Sequence, residues 1–334
     1  MKGTLRGIFK DVQKDYKIIS KTYKTLVKTY DLKIQMHSAG QWLLDNMYII
    51  EEQYGDILDN MKTLKNKRLP AIKTHDNQKC VAIFYLAYEL VENNKGYIDK
   101  NIIFNCLREH QKLTYLTSEE LDLFVLMLKI ALIKFIARIC VNITNSQLKK
   151  IEVENILGEE KINNFKGELR FFRGVSKDSK LSDLSKIKTT NTAFVEYMSY
   201  RLKEMGTEGE KYYDQLQEEI SKLGFSVEEA IVKEHMEIAK TTDYIGKAIS
   251  SFKILQGLNF REIFEAVNKI DETLMNDYTN EFKKCDYKTK ERYRSYIIKL
   301  AKKYDLSEVY VAKKAVICSK KYKKHVGFFL IGDQ

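Results

Sequence analysis

Apolar and polar positions along this chain alternate with a period of three to four residues and almost nowhere with a period of two, which is the pattern of amphipathic helices. Phe9, Val12, Tyr16, Ile19, Tyr23, Leu26 and Tyr30 predict a first helix with one apolar, aromatic seam. A second helix is expected from about Ile34 to Lys65. Its inner face would hold Trp42, Leu43, Met47, Ile50, Tyr54, Ile57, Leu58 and Met61, with Trp42 largely buried. Leu69-Pro70 closes that pattern, because proline lacks an N–H and restricts the residue before it. A third helix is expected from about Gln78 to Glu92, a turn over Asn93–Gly96, and a fourth helix from a cap at Asp99 through His110. Thr117-Ser118-Glu119-Glu120 matches a capping box and opens a fifth helix. There Phe124, Leu128, Leu132, Phe135, Ile136 and Ile139 form a wholly apolar arc, placing it at the centre of an N-terminal core.

From Gly158 to Thr192 the periodicity weakens and Lys, Ser, Asn, Asp and Gly dominate. Helices resume over Ala193–Met205 and Tyr212–Leu223, and from the capping box Ser226-Val227-Glu228-Glu229 to about Leu255. Another starts at Asn259, and Lys288–Lys303 and Ser307–Lys320 complete the set. The expected fold is all-α, a multi-helix bundle of long amphipathic helices joined by short loops. The expected organisation is an N-terminal helical bundle over 1–157, a polar linker or irregular segment over 158–192, and a C-terminal helical region with a basic end over 193–334. Composition agrees: 15 Gly and one Pro in 334 residues are too few for the many turns of a sandwich, barrel or propeller.

The most apolar stretch, Leu121 to Val141, is interrupted by Lys129, Lys134 and Arg138. Three cations at about 3 kcal/mol each cancel apolar residues that contribute about 0.5 each, so this is a buried helix and not a membrane span. The N-terminus shows no signal-peptide pattern. Cys80, Cys106, Cys140, Cys285 and Cys318 form no C-x-x-C, and three of them lie in apolar runs, which predicts core thiols and a reducing, cytoplasmic setting.

The net charge of +11 sits at the two ends. Residues 1–36 hold nine Lys/Arg against three Asp, and residues 283–324 hold fifteen against four acids, so the remainder carries −6. Lys10, Lys14, Lys17, Lys21, Lys24 and Lys28 repeat with the rhythm of the first helix's apolar seam but on the opposite side. Two readings stand: a bundle helix with a solvated outer face, or a helix facing anionic lipid or a docking partner. Nucleic acid is disfavoured, since no base-reading motif accompanies the lysines.

Catalytic motifs are missing from the sequence. There is no phosphate-binding glycine loop, no G-x-S-x-G and no H-E-x-x-H, and His37, His75, His110, His235 and His325 are isolated. Asp45 and Glu52 share a helix face, but nothing pairs with them for acid–base work. Glu234-His235 is an adjacent acid–histidine pair. No two aspartates lie two residues apart, so the D-x-D that holds a divalent cation on a nucleotide-sugar diphosphate is lacking. No catalytic, cofactor-binding or metal-binding residue is assigned.

One stretch carries a resemblance. Ala39-Gly40-Gln41-Trp42-Leu43-Leu44-Asp45-Asn46-Met47-Tyr48-Ile49-Ile50-Glu51-Glu52-Gln53 resembles a signature near the start of the cyclic β-1,2-glucan synthases, with Trp42, Leu43, Leu44, Asp45, Asn46, Glu51 and Glu52 its core. Leu69-Pro70, Gly96-Tyr97-Ile98-Asp99, Glu234-His235, Leu306-Ser307-Glu308-Val309 and His325-Val326-Gly327 follow in the family's order; Asn259-Phe260 stands where the family usually has Asp-Trp. The resemblance implies a parent glucosyltransferase of very large size at the inner membrane, using UDP-glucose and a divalent cation. It covers only the region before the transferase, so this chain alone is expected to be non-catalytic and without a cofactor. Its implied partners are the remaining modules of the synthase and an anionic membrane surface at the cytoplasmic face. The chain ends on the apolar run Val326–Ile331 and reads as a piece of a longer protein. The rival reading is a free-standing helical adaptor or nucleic-acid binder.

Overall fold

The computed structural model describes residues 2–74, 77–157 and 191–331. In chain order it contains β1 (Lys2–Thr4), α1 (Arg6–Asp31), α2 (Ser38–Leu64), β2 (Arg68–Lys73), β3 (Lys79–Val81), α3 (Ala82–Asn93), α4 (Lys100–Leu113) and α5 (Ser118–Ile156). Then come α6 (Thr192–Glu204), α7 (Thr207–Lys222), α8 (Val227–Gly257), α9 (Phe260–Val267) and α10 (Lys269–Leu274). A 3₁₀ turn at Phe282–Lys284 precedes α11 (Tyr287–Tyr304), α12 (Glu308–Tyr322) and α13 (Val326–Ile331). The architecture is all-α and multi-helical, as the periodicity predicts.

Side-chain caps set several helix starts. Asp99 accepts from the Ile102 N–H at 2.8 Å, and both expected capping boxes form, Thr117 with Glu120 and Ser226 with Glu229. Helix α2 starts later than expected, at Ser38, because the Nδ1 of His37 accepts from the Ala39 N–H and caps it there. The third helix starts at Ala82, since Lys79–Val81 is taken up as a strand.

That strand belongs to a small antiparallel sheet in the order β1-β2-β3. Its strands are too short for a period-two pattern to register. Strand β2 pairs β1 through Arg68–Pro70 and β3 through Ala71–Lys73. Pro70 thus lies on the half that has a partner on one side only, where a missing N–H is tolerated.

Among the described residues, three groups of buried apolar side chains hold the helices together. The largest centres on α5, whose Phe124, Met127, Leu128, Ala131, Leu132, Phe135 and Ile136 are covered by residues of α1 to α4, α8 and α9. Helix α5 is therefore buried as expected, and no helix among the described residues is long and apolar enough to cross a membrane. Gly40 lets α2 approach α1 closely, since a Cβ there would lie 3.0 Å from Leu26 Cδ2. The second group joins the end of α5 to α6, α7 and the start of α8, and the third joins α10 to α13. The expected segment 158–192 falls almost wholly outside the described residues. Packing nevertheless runs from one side of it to the other, because Ile245, Ala248, Ile249 and Phe252 of α8 lie in the α5-centred core. Of the expected core thiols, only Cys140 is buried; the other four cysteines are partly exposed, and all five are free.

Candidate functional site

The signature stretch forms the first half of α2 and divides between two environments. At about 100° per residue, Leu43, Met47, Ile50 and Ile57 point inward and are buried. Leu44 and Asn46 are half-buried, and Asp45, Glu51 and Glu52 are exposed. Trp42 corrects the expectation of burial: it is 42% exposed. Its helix angle falls between those of the buried Ile49 and Gln53, yet it sits at the rim because neighbouring helices cover it only in part, with its indole edge about 4 Å from where Gly246 of α8 would carry a Cβ. Tyr48, about 120° further round, is 63% exposed. Neutral amides hold the two carboxylates that share this face: Gln41 Nε2 donates to Asp45 at 2.9 Å, and Gln256 Nε2 of α8 donates to Glu52 at 2.7 Å. Gln53, which closes the signature, is fully buried, and its side-chain amide has no hydrogen-bond partner among the described residues.

Helix α1 buries its seam and shows its lysines. Phe9, Val12, Ile19 and Leu26 are buried, and Tyr16 stacks on Tyr54 of α2 with ring centroids 3.8 Å apart. Tyr30, at the end of the seam, is exposed. Lys10, Lys14, Lys17, Lys21 and Lys24 are exposed and Lys28 is half-buried, so the stripe faces outward while the seam serves the core. Lys14 pairs with Asp11 at 3.0 Å.

Glu234 and His235 separate. Glu234 is buried and accepts from Ser146 Oγ at 3.1 Å and Thr192 Oγ1 at 2.6 Å, whereas His235 faces out, 3.7 Å from Glu196. Around Glu234 lies a buried polar network. Lys150 donates to the Gln35 side chain at 3.3 Å and stands 5.3 Å from the Tyr197 ring centroid. The Tyr197 hydroxyl donates to Glu154 at 2.5 Å, and Arg201 pairs with the same carboxylate. Burial lowers the pKa of Lys150, against the pull of Glu196 and Glu234. These contacts tie α5, α6 and α8 together. Among the described residues no group of His, Cys, Asp and Glu is arranged to hold a metal ion.

A cleft of about 1020 Å³ opens between the sheet, the first turns of α1, α3 and α5. Phe84, Tyr85 and Tyr88 line it beside Asp15 and Lys134. Burial raises the Asp15 carboxyl above its usual range, partly offset by Lys134.

The chain is similar to the cyclic beta-(1,2)-glucan synthase NdvB of Rhizobium meliloti (strain 1021). Identity is 22% over 307 residues, which is 89% of this chain and 10% of that protein. No protein-family model matches the chain. The likeness supports a distant, glucan-synthase-related segment and agrees with the resemblance seen in α2.

The outer face of α12 was not singled out from the sequence. Tyr310, Lys313, Lys314, Ile317, Lys320 and Lys321 all lie on it, exposed. A signal was present: each of 310, 313 and 314 is followed seven residues later by a residue of like character, which returns it to the same side of a helix.

Proposed function

We propose that this chain is a non-catalytic helical module related to an early segment of cyclic β-1,2-glucan synthase, that it docks on the remaining modules of such a synthase, and that it lies against the anionic, cytoplasmic leaflet of the membrane where they work. The observation that carries this reading is that the likeness runs through 89% of the chain yet spans only a tenth of the relative. A segment of that proportion fits an accessory part of a larger machine. The outward half of the signature supports docking, because Asp45, Tyr48, Glu51 and Glu52 are exposed and Trp42 is only partly covered. Tyrosine and tryptophan are enriched at interfaces. The lysine stripes on α1 and α12 support the anionic surface, at about 1 kcal/mol per lysine close to it.

On this reading UDP-glucose and a divalent cation belong to the partner modules. Purified alone, the chain is expected to leave UDP-glucose unconsumed in the presence of Mg²⁺ or Mn²⁺. Turnover above a no-protein control overturns the non-catalytic reading.

A further inference from the structure

Two helices show lysine stripes, and they differ in what stands between the lysines. On α1 the apolar residues in register with the stripe are mostly turned into the core. On α12 the inner face is Glu308, Ala312, Ala315, Val316 and Ser319, all buried. The opposite face has Tyr310 and Ile317 along its crest, 46% and 56% exposed, two turns apart. Lys313 and Lys320 flank this crest on one side, and Lys314 and Lys321 on the other. Lys314 lies 5.3 Å from the Tyr310 ring centroid. Between residues 302 and 324 the chain has eight lysines, two acids and no arginine. One of those acids, Glu308, is turned inward and accepts from Tyr115 and Ser118, so it subtracts little from the field outside.

We propose that the outer face of α12 is a membrane-binding surface, in which Tyr310 and Ile317 insert at the headgroup level of an anionic bilayer while the four flanking lysines contact its phosphates. The chemistry favours lipid over the other polyanions. Lysine stems lie along apolar surface and keep the ammonium at the interface, and tyrosine is enriched there. Nucleic-acid sites favour arginine for its planar fork, and this face has none. A coiled-coil partner needs two apolar positions per heptad sustained over several heptads, and α12 has one per heptad over two. The proposal deepens the surface-association part of the reading above. It does not depend on docking to other modules, because it is tested on this chain alone.

The test is co-sedimentation of the full chain with vesicles of phosphatidylcholine, with and without phosphatidylglycerol. It is run at 0.1 M and about 0.5 M NaCl, where the Debye length falls from about 10 Å to about 4 Å. Wild type is expected to bind the anionic vesicles only and to keep part of that binding at the higher salt. K313Q/K314Q/K320Q/K321Q is expected to lower partitioning about 10²- to 10³-fold. Y310S/I317S is expected to bind at 0.1 M salt and to lose what persists at 0.5 M. K10Q/K14Q/K17Q/K24Q on α1 should weaken binding only at low salt. All substituted positions are exposed, and an unchanged circular dichroism melt shows that each variant folds. Undiminished vesicle binding by the α12 lysine variant overturns the assignment. So does a Y310S/I317S variant equal to wild type at high salt, or binding to a single-stranded RNA oligonucleotide that exceeds binding to anionic vesicles.

Discussion

The two halves of α5 form cores of opposite character. From Leu121 to Ile143 its buried side chains are almost all apolar, and helices cover it on several sides. From Thr144 to Ile156 the same helix buries Thr144, Gln147, Lys150 and Glu154 alongside Leu148, Ile151 and Val153. In the first half, stability comes from removing apolar area from water and from close packing, which are not directional. In the second, each buried polar atom needs a partner at the right distance and angle, so α6 and α8 can sit against α5 in few ways. The dry half supplies cohesion, and the polar half constrains how the neighbouring helices are placed.

Two substitutions test this contrast at its largest amplitude. Phe135→Ala in the dry half is expected to cost about 3–5 kcal/mol, the range for truncating a buried aromatic. Glu154→Ala in the polar half is expected to cost about 3 kcal/mol, because it removes the acceptor of the Tyr197 hydroxyl and the buried partner of Arg201. Urea denaturation reads both. A cost below about 1 kcal/mol for Glu154→Ala means that the network is hydrated and the two halves do not differ in kind.

A pH experiment sharpens the comparison at the edge of the polar half. His37 is buried beside Lys150, and desolvation, followed by the charge of Lys150, lowers its pKa from 6.5 to about 4. Its Nδ1 accepts from the Ala39 N–H, which only the unprotonated nitrogen can do. Between about pH 6.5 and pH 4 the unfolded chain therefore binds a proton at His37 that the folded chain does not. Stability falls as pH drops through that window, by up to about 3 kcal/mol, and is unaffected by this group above it. Burial raises Asp15, Glu120, Asp122 and Asp271, which gives them the opposite slope in the acid range. The useful measurement is thus the difference between wild type and His37→Asn. Asparagine keeps an N-cap acceptor and does not titrate. Parallel stability curves for the two proteins would falsify the assignment of this slope to His37.

The dry half and the capped helix starts could be read from the sequence, whereas the polar half and the sheet could not. Phe124, Leu128, Leu132 and Phe135 follow the helical period, and Thr117 and Glu120 announce their box, because both signals are local. Lys150 and Glu154 look like solvated charges until Gln35, Tyr197 and Arg201 arrive from elsewhere in the chain. Strands of three and six residues leave no periodic trace, and β1 meets β2 across more than sixty intervening residues. For the candidate site, the lysine stripe of α1 was legible as a stripe. The sequence did not show which residues of the α2 signature face outward, because a residue at the rim of a buried arc is placed by its neighbours on other helices.

Trp42 is where that rim effect can be measured, and it has the smallest expected amplitude. A fully buried tryptophan truncated to alanine costs about 3–5 kcal/mol. Trp42 is 42% exposed and meets α8 with one edge of its ring, so Trp42→Ala is expected to cost about 1–2 kcal/mol, from the part of its apolar area that is covered. As the chain's single tryptophan, it reports its own exposure: its fluorescence should be quenched readily by iodide in the folded protein. Gly246→Ala extends the argument, because the added methyl would lie 3.9–4.0 Å from the ring, ordinary contact distance. That variant should fold unchanged and shield the indole slightly more from iodide. If Trp42 resists quenching in wild type and its truncation costs as much as Phe135→Ala, the indole belongs to the core, and docking at the signature's outer face must rest on Asp45, Tyr48, Glu51 and Glu52 without it.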